Sequence, residues 1–230
     1  MKKILLIFFL TVMLIPLYSS WSIGGEAGYA LSFLDTVTTW PNTEYRPGHG
    51  ATVSFAAEYD FENGLSLLSG IRYIEKSFVY YHANSGTVIS NYMEMDHILE
   101  IPLSLRYSFP LGDISLFIGA GGYIGVWFAS QWFGRNSSVS ENEDGTDMIT
   151  AIGDLIPFDS SDNLFHAGIL AEAGVSWDLL ENLRLDAVLR YEGSLTSLVK
   201  SYQKNTTHRY FDTVTLSVGC MIPIGGERDA

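Results

Sequence analysis

The chain has 230 residues and a formal net charge of −13, and this acidic balance disfavours nucleic acid as a partner because binding to phosphates needs clustered cations. The single cysteine, Cys220, excludes an internal disulfide and gives no support to a metal site, which needs several ligands. The length fits one domain, and no proline-rich or serine-rich linker divides it. We therefore expect one main domain without a cofactor or a bound metal.

The N-terminus carries the pattern of a secretory signal peptide. Lys2 and Lys3 precede an apolar run that is too short to cross a membrane comfortably as a helix. Ser20 and Ser22 then stand at the spacing that a signal peptidase favours, so we predict cleavage near Ser22, with Ser20 as the other candidate. The predicted parts are a signal peptide over 1–22, a barrel domain over 23–224 and a short periplasmic tail over 225–230.

Beyond the signal peptide, apolar residues alternate with small or polar ones in eight stretches, the pattern of strands that cross an outer membrane. Tight turns near Asn63, Gly112 and Glu181 alternate with long polar connections, as periplasmic turns alternate with extracellular loops in such barrels. In chain order, the predicted strands run over 23–33, 51–61, 65–78, 93–109, 114–128, 164–178, 183–194 and 210–224.

This pattern predicts an all-β fold, an eight-stranded antiparallel up-and-down transmembrane β-barrel. A soluble barrel with its apolar face turned inward also alternates, but the large residues on that face would overfill eight strands, whereas the glycine-rich and serine-rich face fits. Aromatic residues near the strand ends are expected at the two membrane interfaces. They are Tyr59, Phe61, Tyr107, Phe109 and Trp177 on the periplasmic side, and Phe33, Phe128 and Phe165 on the outer side.

Charged residues on the inward face form a candidate network. A three-residue turn over 180–182 places Glu172 opposite Arg190 and Asp178 opposite Arg184, so we predict cross-strand ion pairs. The predicted network comprises Glu26, Glu58, Arg72, Glu100, Arg106, Glu172, Asp186, Arg190 and Glu192.

Similar reasoning for the turn over 110–113 sets Phe117 beside Arg106 and Tyr123 beside Glu100, with Arg72 at mid height on the next strand. Two interpretations fit these charges: an ion path, or a salt-bridged plug that satisfies buried charges. Eight strands leave little free lumen, which favours the plug. Since inward acids outnumber inward arginines, some acids are expected to be protonated, hydrated or open to a vestibule.

The connection over 130–163 is long enough to be a functional segment. Its apolar half carries Ile149, Ile152, Ile156 and Phe158, which form either a surface that binds a host or envelope partner or a cap on the barrel. Its acidic half lacks the spacing of a helix-loop-helix calcium site. Basic residues in the last long loop, which pair either with this acidic half or with anionic headgroups, are Lys200, Lys204 and Arg209.

Enzyme chemistry in a barrel of this kind needs a nucleophile and a base within reach of each other. His166 is predicted to face inward near the outer rim, and His97 lies near the rim of the fourth strand. The hydroxyls of Ser130 and Ser161 form no recognisable motif with either histidine. We therefore expect the protein not to be an enzyme.

Three segments resemble the PorT-like outer-membrane protein β-barrel family, a relative of the OmpA and OmpX type: Gly24–Tyr29, Gly70–Tyr73 and, the most specific, Leu99–Tyr107. Proline inside the last segment predicts a bulge or a locally unpaired site at Pro102. The run over 217–224 resembles the last-strand signal read by the assembly machinery, although it ends in isoleucine where an aromatic residue is common.

The resemblance implies a membrane barrel without shared catalytic residues. We expect a monomer in the bacterial outer membrane, in contact with lipid and the assembly machinery, whose outer loops serve envelope structure or bind an unidentified surface ligand. A narrow porin-like channel is the alternative, and a lipid-modifying enzyme is a further one.

Overall fold

The structure is a computed structural model of the chain, and it describes residues 20–36, 42–61, 63–84, 87–136, 149–180, 182–200 and 208–224. Most of the predicted signal peptide, the acidic half of the long loop, Lys204 and the C-terminal tail lie outside these residues. Within the described ranges, no helix has the length and apolar character needed to cross a membrane.

Among the described residues, nine antiparallel strands form a single sheet, and eight of them close into a ring because β4 pairs with β5 as well as with β3. In the described part of the chain, the ninth strand, β6, pairs with the outer end of β5 and stands outside the ring. The strands are β1 Ser20–Thr36, β2 Thr43–Asp60, β3 Leu65–Asn84, β4 Thr87–Leu111, β5 Ile114–Asn136, β6 Ile149–Leu155, β7 Phe165–Leu180, β8 Leu183–Ser194 and β9 Arg209–Ile224.

The outward face of the ring is apolar over the height of a membrane. On β4, large exposed side chains follow one another at every second position from Leu99 to Phe109, which matches the roughly 10 residues that a tilted spanning strand needs. Rings of Tyr73, His97 and Phe128 lie together at the outer end of this band, with 5.9 Å between the Tyr73 and His97 centroids. We therefore take Leu99–Phe109 as the membrane-spanning part of β4.

Several strands are longer at their extracellular ends than the sequence pattern predicts. β2 begins at Thr43, β3 ends at Asn84, β4 begins at Thr87 and β5 ends at Asn136. Above the membrane neither face of the sheet contacts lipid, so strict alternation is not required and the pattern fades. Within the predicted long loop, Ile149–Leu155 form the strand β6. At the other end, β1 begins at Ser20 rather than residue 23.

The β7–β8 register is the predicted one, with Glu172 opposite Arg190 and Asp178 opposite Arg184. Because side chains alternate along a strand, this register fixes which residues share the inward face. The tight connection near Glu181 therefore determines the position of an ion pair about 10 residues away along the chain.

The predicted β4–β5 register is wrong by two residues. Leu111 pairs with Ile114, so the turn contains only Gly112 and Asp113, and Gly112 adopts a positive φ of 72° that glycine tolerates. A shift of two residues keeps every side chain on its predicted face. The observed partners are Gly119 for Arg106, Ser108 for Phe117, Gly125 for Glu100 and Pro102 for Tyr123.

Pro102 interrupts the β3–β4 ladder, as predicted. The pairs Ser69 with Leu103 and Arg72 with Glu100 flank a gap in which no partners are assigned, and the register is the same on both sides. The site is therefore unpaired rather than bulged. Proline lacks the N–H that this position would donate, which explains the gap.

Candidate functional site

Seven charged side chains from five strands fill the periplasmic half of the barrel interior. We call them the lower charge layer. All are buried or nearly so, and alternation along each strand directs them away from lipid. The lower charge layer consists of Glu26, Glu58, Arg106, Glu172, Arg184, Asp186 and Arg190.

Glu172 is bound by two arginines from neighbouring strands. Arg106 Nε lies 2.7 Å from Glu172 Oε1, and Arg190 Nη2 lies 2.9 Å from Glu172 Oε2. Arg190 also reaches Glu26, at 3.4 Å, and the Ser104 hydroxyl donates to Glu172. The carboxylate thus has a charged partner at each oxygen, which is what a buried ion needs to offset its lost hydration.

Arg184 crosses the lumen and also pairs along its own strand. Its guanidinium forms an ion pair with Glu58 on β2, and its Nε lies 3.0 Å from Asp186. Ser66 donates a 2.5 Å hydrogen bond to Glu58. Arg184 and Asp178 are register partners in the backbone, as predicted. The long Arg184 side chain in addition reaches Glu58 across the barrel.

A second set of charges, the upper charge layer, lies closer to the extracellular side and comprises Arg72, Lys76, Glu100, His166 and Glu192. Lys76 Nζ lies 3.0 Å from Glu100 and 3.1 Å from Glu192. Arg72 Nη2 lies 2.5 Å from Glu100 and also pairs with Glu192. Two cations and two carboxylates form a closed quartet, which is neutral as a whole.

The structure reduces the expected excess of interior acids to one. The predicted set contained three arginines, but Lys76 and Arg184 also enter the interior and bring the basic residues of the two layers to five against six acids. Alternation along β3 and β8 places both residues on the inward face, so that signal was present in the sequence. Their partners on distant strands left no such signal.

His166 joins β7 to the upper charge layer. Its Nε2 lies 2.9 Å from Ser194 Oγ and its Nδ1 lies 3.5 Å from Glu100 Oε1, the order of a nucleophile, a base and an orienting acid. However, the Ser194 hydroxyl donates to the Phe211 carbonyl oxygen at 2.7 Å, and Lys76 already binds Glu100. This geometry favours a structural link over a reactive serine.

An apolar cluster covers the upper charge layer. We call it the apolar plug, and its buried members are Ala30, Ile74, Phe78, Ile98, Trp127, Leu198 and Phe211. Trp127 Nε1 donates to Ser130 Oγ at 2.8 Å, and Ser130 Oγ donates to Asp96 Oδ1 at 2.5 Å. Hydrogen bonds therefore hold the largest ring of the plug in place.

Two long connections meet over the plug. Asp162 and Val199 form an isolated β-bridge, and Asn163 Nδ2 donates to the Ser197 carbonyl oxygen at 2.9 Å. Lys200 Nζ donates to the Ser160 carbonyl oxygen at 2.7 Å. This tie positions Leu198, between Ser197 and Val199, in the plug.

The structure describes the four apolar residues predicted in the long loop only in part. Ile149 pairs with Asn136 and Ile152 pairs with Phe133, positions that belong to opposite faces of β5. Ile156 is half-buried, and Phe158 packs against Trp127 with ring centroids 4.9 Å apart. The Phe158 position agrees with the capping interpretation, while the side chains of Ile149 and Ile152 lie outside what the structure describes.

Arg209, predicted among the surface cations of the last loop, instead turns inward. It lies 2.8 Å from Glu94, and its guanidinium stands 5.1 Å from the centre of the Phe78 ring. Just outside the spanning part of β4, burial and the charge of Glu94 raise the pKa of Asp96 to about 7. The outer end of the interior therefore holds one ion pair and one acid that titrates near neutrality.

Within the described ranges, no group of three or more histidine, cysteine or acidic side chains is arranged to hold a metal ion. The family model described as outer membrane protein beta-barrel domain matches residues 15–200. No curated protein matches the sequence.

Several solved structures show similarity to this chain. Neisserial surface protein A shares 16% identity with this chain, with a TM-score of 0.46 and coverage of 89% of this chain and 97% of that one. OprG from Pseudomonas aeruginosa shares 12% identity, with a TM-score of 0.48 and coverage of 91% and 98%. AlkL, solved in lipid bilayers, shares 15% identity, with a TM-score of 0.41 and coverage of 93% of both chains.

Proposed function

Because the chain belongs to the outer membrane protein beta-barrel domain family, we propose that it is a closed barrel whose extracellular surface acts in envelope structure or surface binding. It is an integral protein of the bacterial outer membrane. The proposal includes export through a cleaved signal peptide, insertion by the outer-membrane assembly machinery, a monomeric state in lipid and membership of the PorT-like branch of small barrels. Loops that act in envelope structure or surface binding need a rigid barrel beneath them and do not require an open lumen.

The observation that carries the proposal is the order of layers inside the ring. From the periplasm outward, an ion would meet the lower charge layer, the upper charge layer and then the apolar plug. Separating one partner from a buried ion pair costs about 3–5 kcal/mol, and each layer contains several such pairs. The plug adds a region that offers a permeating ion no polar partner.

Conductance across a planar bilayer tests closure. The mature chain is refolded in detergent, and the migration of unboiled against boiled samples on a denaturing gel verifies that the barrel has formed. We expect no current from the wild type. We expect current from a variant altered in all three layers, Trp127→Ala combined with Lys76→Ala and Arg106→Ala, which serves as the control for insertion.

Current from the wild type, with an ion selectivity that changes on Arg72→Gln, would overturn the closed barrel in favour of a narrow porin-like channel. Altered lipid acylation that disappears on His166→Ala would instead support an enzyme. Surface action is tested separately, by comparing cells that display the chain with cells that do not for attachment to envelope and host-cell preparations.

A further inference from the structure

A row of aromatic side chains crosses the extracellular extension of the sheet. Tyr45 on β2, Tyr80 on β3 and Tyr92 on β4 are register partners, and Trp132 on β5 packs edge-on against Tyr92. The successive ring centroids are 5.5, 5.0 and 5.6 Å apart. We call these four residues the aromatic row. It spans four strands, about 14 Å at the usual strand spacing.

The polar atoms of the aromatic row are three phenol hydroxyls and the Trp132 indole N–H. All four side chains are half-buried, and among the described residues no protein group forms a hydrogen bond with their hydroxyls or with the indole N–H. A buried tyrosine or tryptophan usually has a partner for its polar atom. Burial raises the pKa of the Tyr45 and Tyr92 phenols, so the tips are neutral hydroxyls.

The aromatic row stands on one side of the barrel mouth. β2 to β5 continue outward beyond the level at which the opposite strands end, since the β1–β2 pairing stops at Ser32 and β8 ends at Ser194. The apolar plug lies beneath the row, with 5.7 Å between the Tyr45 and Phe78 ring centroids. A ligand on this face is therefore held at the extracellular mouth and cannot pass into the barrel.

The charges around the aromatic row disfavour an anionic ligand. Glu94 and Arg209 lie at its foot and neutralise each other, and Asp154 is the exposed register partner of Trp132. The whole chain carries a net charge of −13. Among the described residues, no cluster of free cations borders the row to bind sulfated, phosphorylated or nucleic-acid ligands against this field.

Apolar ring surface bordered by neutral hydroxyls complements a pyranose, which has an apolar C–H face and a rim of hydroxyl groups. Each tyrosine hydroxyl both donates and accepts, as sugar hydroxyls do. We propose that the aromatic row is a binding site for an uncharged saccharide of several units, carried either on an outer-leaflet lipid or on a free or foreign glycan. This inference rests on the proposed surface-binding function and gives it a site and a ligand class.

Saturation-transfer NMR on the refolded barrel in phospholipid nanodiscs tests the proposal without glycoside detergents, which would compete for the site. The probes are maltoheptaose, cellopentaose and chitotetraose, with heparin as the anionic comparison. A second arm uses nanodiscs that contain rough lipopolysaccharide, to separate a lipid-borne saccharide from a free one. Tyr92→Ala and Trp132→Ala remove the row, and Tyr81→Ala and Phe133→Ala remove rings from the opposite face of the same strands.

We expect transfer to at least one neutral saccharide, weakened about fivefold in apparent affinity by either row variant and unchanged by either control, since an aromatic contact contributes about 1 kcal/mol. The gel-migration assay verifies that each variant is folded. Binding of heparin alone, signals that the row variants leave intact, or no transfer in either arm would each overturn the proposal. Cell attachment that persists without saccharide binding would leave the proposed surface function standing and remove only this site.

Discussion

The inner face of β3 and β4 changes character along its length. Inside the membrane it carries charges that bind one another across the lumen, as Arg72 and Glu100 do. Beyond the membrane the same face carries aromatic rings such as Tyr80 and Tyr92, whose polar tips have no partner among the described residues. In the spanning part side chains fill the lumen, so buried polar groups must find partners within the barrel, whereas water can reach those of the extension. Access of water to the lumen therefore determines what the inner face must satisfy.

Removing one charge of the lower charge layer should give the largest loss of stability. Arg106→Met leaves Glu172, Glu26 and Glu58 with fewer buried partners, so we expect the free energy of unfolding to fall by about 3–5 kcal/mol. Urea titration of the barrel in detergent, followed by gel migration, measures it. A loss below about 1 kcal/mol would mean that the interior is hydrated and the contrast between the two regions is weaker than described.

A smaller effect is expected for the acid at the boundary of the two regions. The raised pKa of Asp96, about 7 against an ordinary 3.8, means that the folded state holds a proton that the unfolded state releases, so stability falls as pH rises from 4 to 7 and is level above 7. Relative to Asp96→Asn, the wild type should lose about 2–3 kcal/mol between pH 5 and pH 7. Unfolding midpoints at both pH values measure this difference.

Asp159→Asn is the control for that measurement. Hydrogen bonds from Ser161 lower the pKa of the exposed Asp159 carboxyl, so its contribution has the opposite sign and is lost as pH falls through the lowered pKa. If both variants changed the pH dependence in the same direction, desolvation would not be the cause of the Asp96 effect.

The smallest effect is expected in the extension. Arg46 and Glu44 form an ion pair at 2.8 Å with more than half of each side chain exposed. Arg46→Met should change the free energy of unfolding by about 0.5 kcal/mol, because water and salt screen exposed pairs. The losses of unfolding free energy for Arg46→Met and Arg106→Met, measured under identical conditions, compare the extension with the spanning part directly. Comparable losses for both variants would contradict the expected difference.

The sequence predicted the part of the molecule that lipid constrains. Lipid on one face of each spanning strand requires apolar residues to alternate with other residues, so the eight ring strands and their inward faces could be predicted. The tight turn near Glu181 predicted the Glu172 and Arg190 pair. The turn at Gly112 was read as longer than it is, since a positive φ allows a two-residue connection that proline at 110 obscured. The inward and outward faces were still predicted correctly, because a register shift of two residues leaves each side chain on the same face.

The rest depended on contacts that no local pattern records. Arg184 reaches Glu58 across the lumen, and Leu198 enters the plug from a loop held by a bridge between two distant connections. The aromatic row lies where alternation has faded, so Tyr80 and Tyr92 looked like parts of loops or strand ends. Their alignment follows from the β3–β4 register, which continues beyond the membrane.

Gly119, which faces Arg106 across the β4–β5 ladder, has a consequence for how this barrel can vary. A methyl group there would stand 3.0 Å from Glu172 Oε1 and 3.1 Å from Arg106 Cγ, so the space in which the two charges meet is supplied by a missing side chain. The space available to charged side chains in this part of the lumen therefore depends on β5, a strand that itself carries no inward charge. Any larger residue at 119 would need a compensating change on β4 or β7, which couples the three positions during sequence divergence.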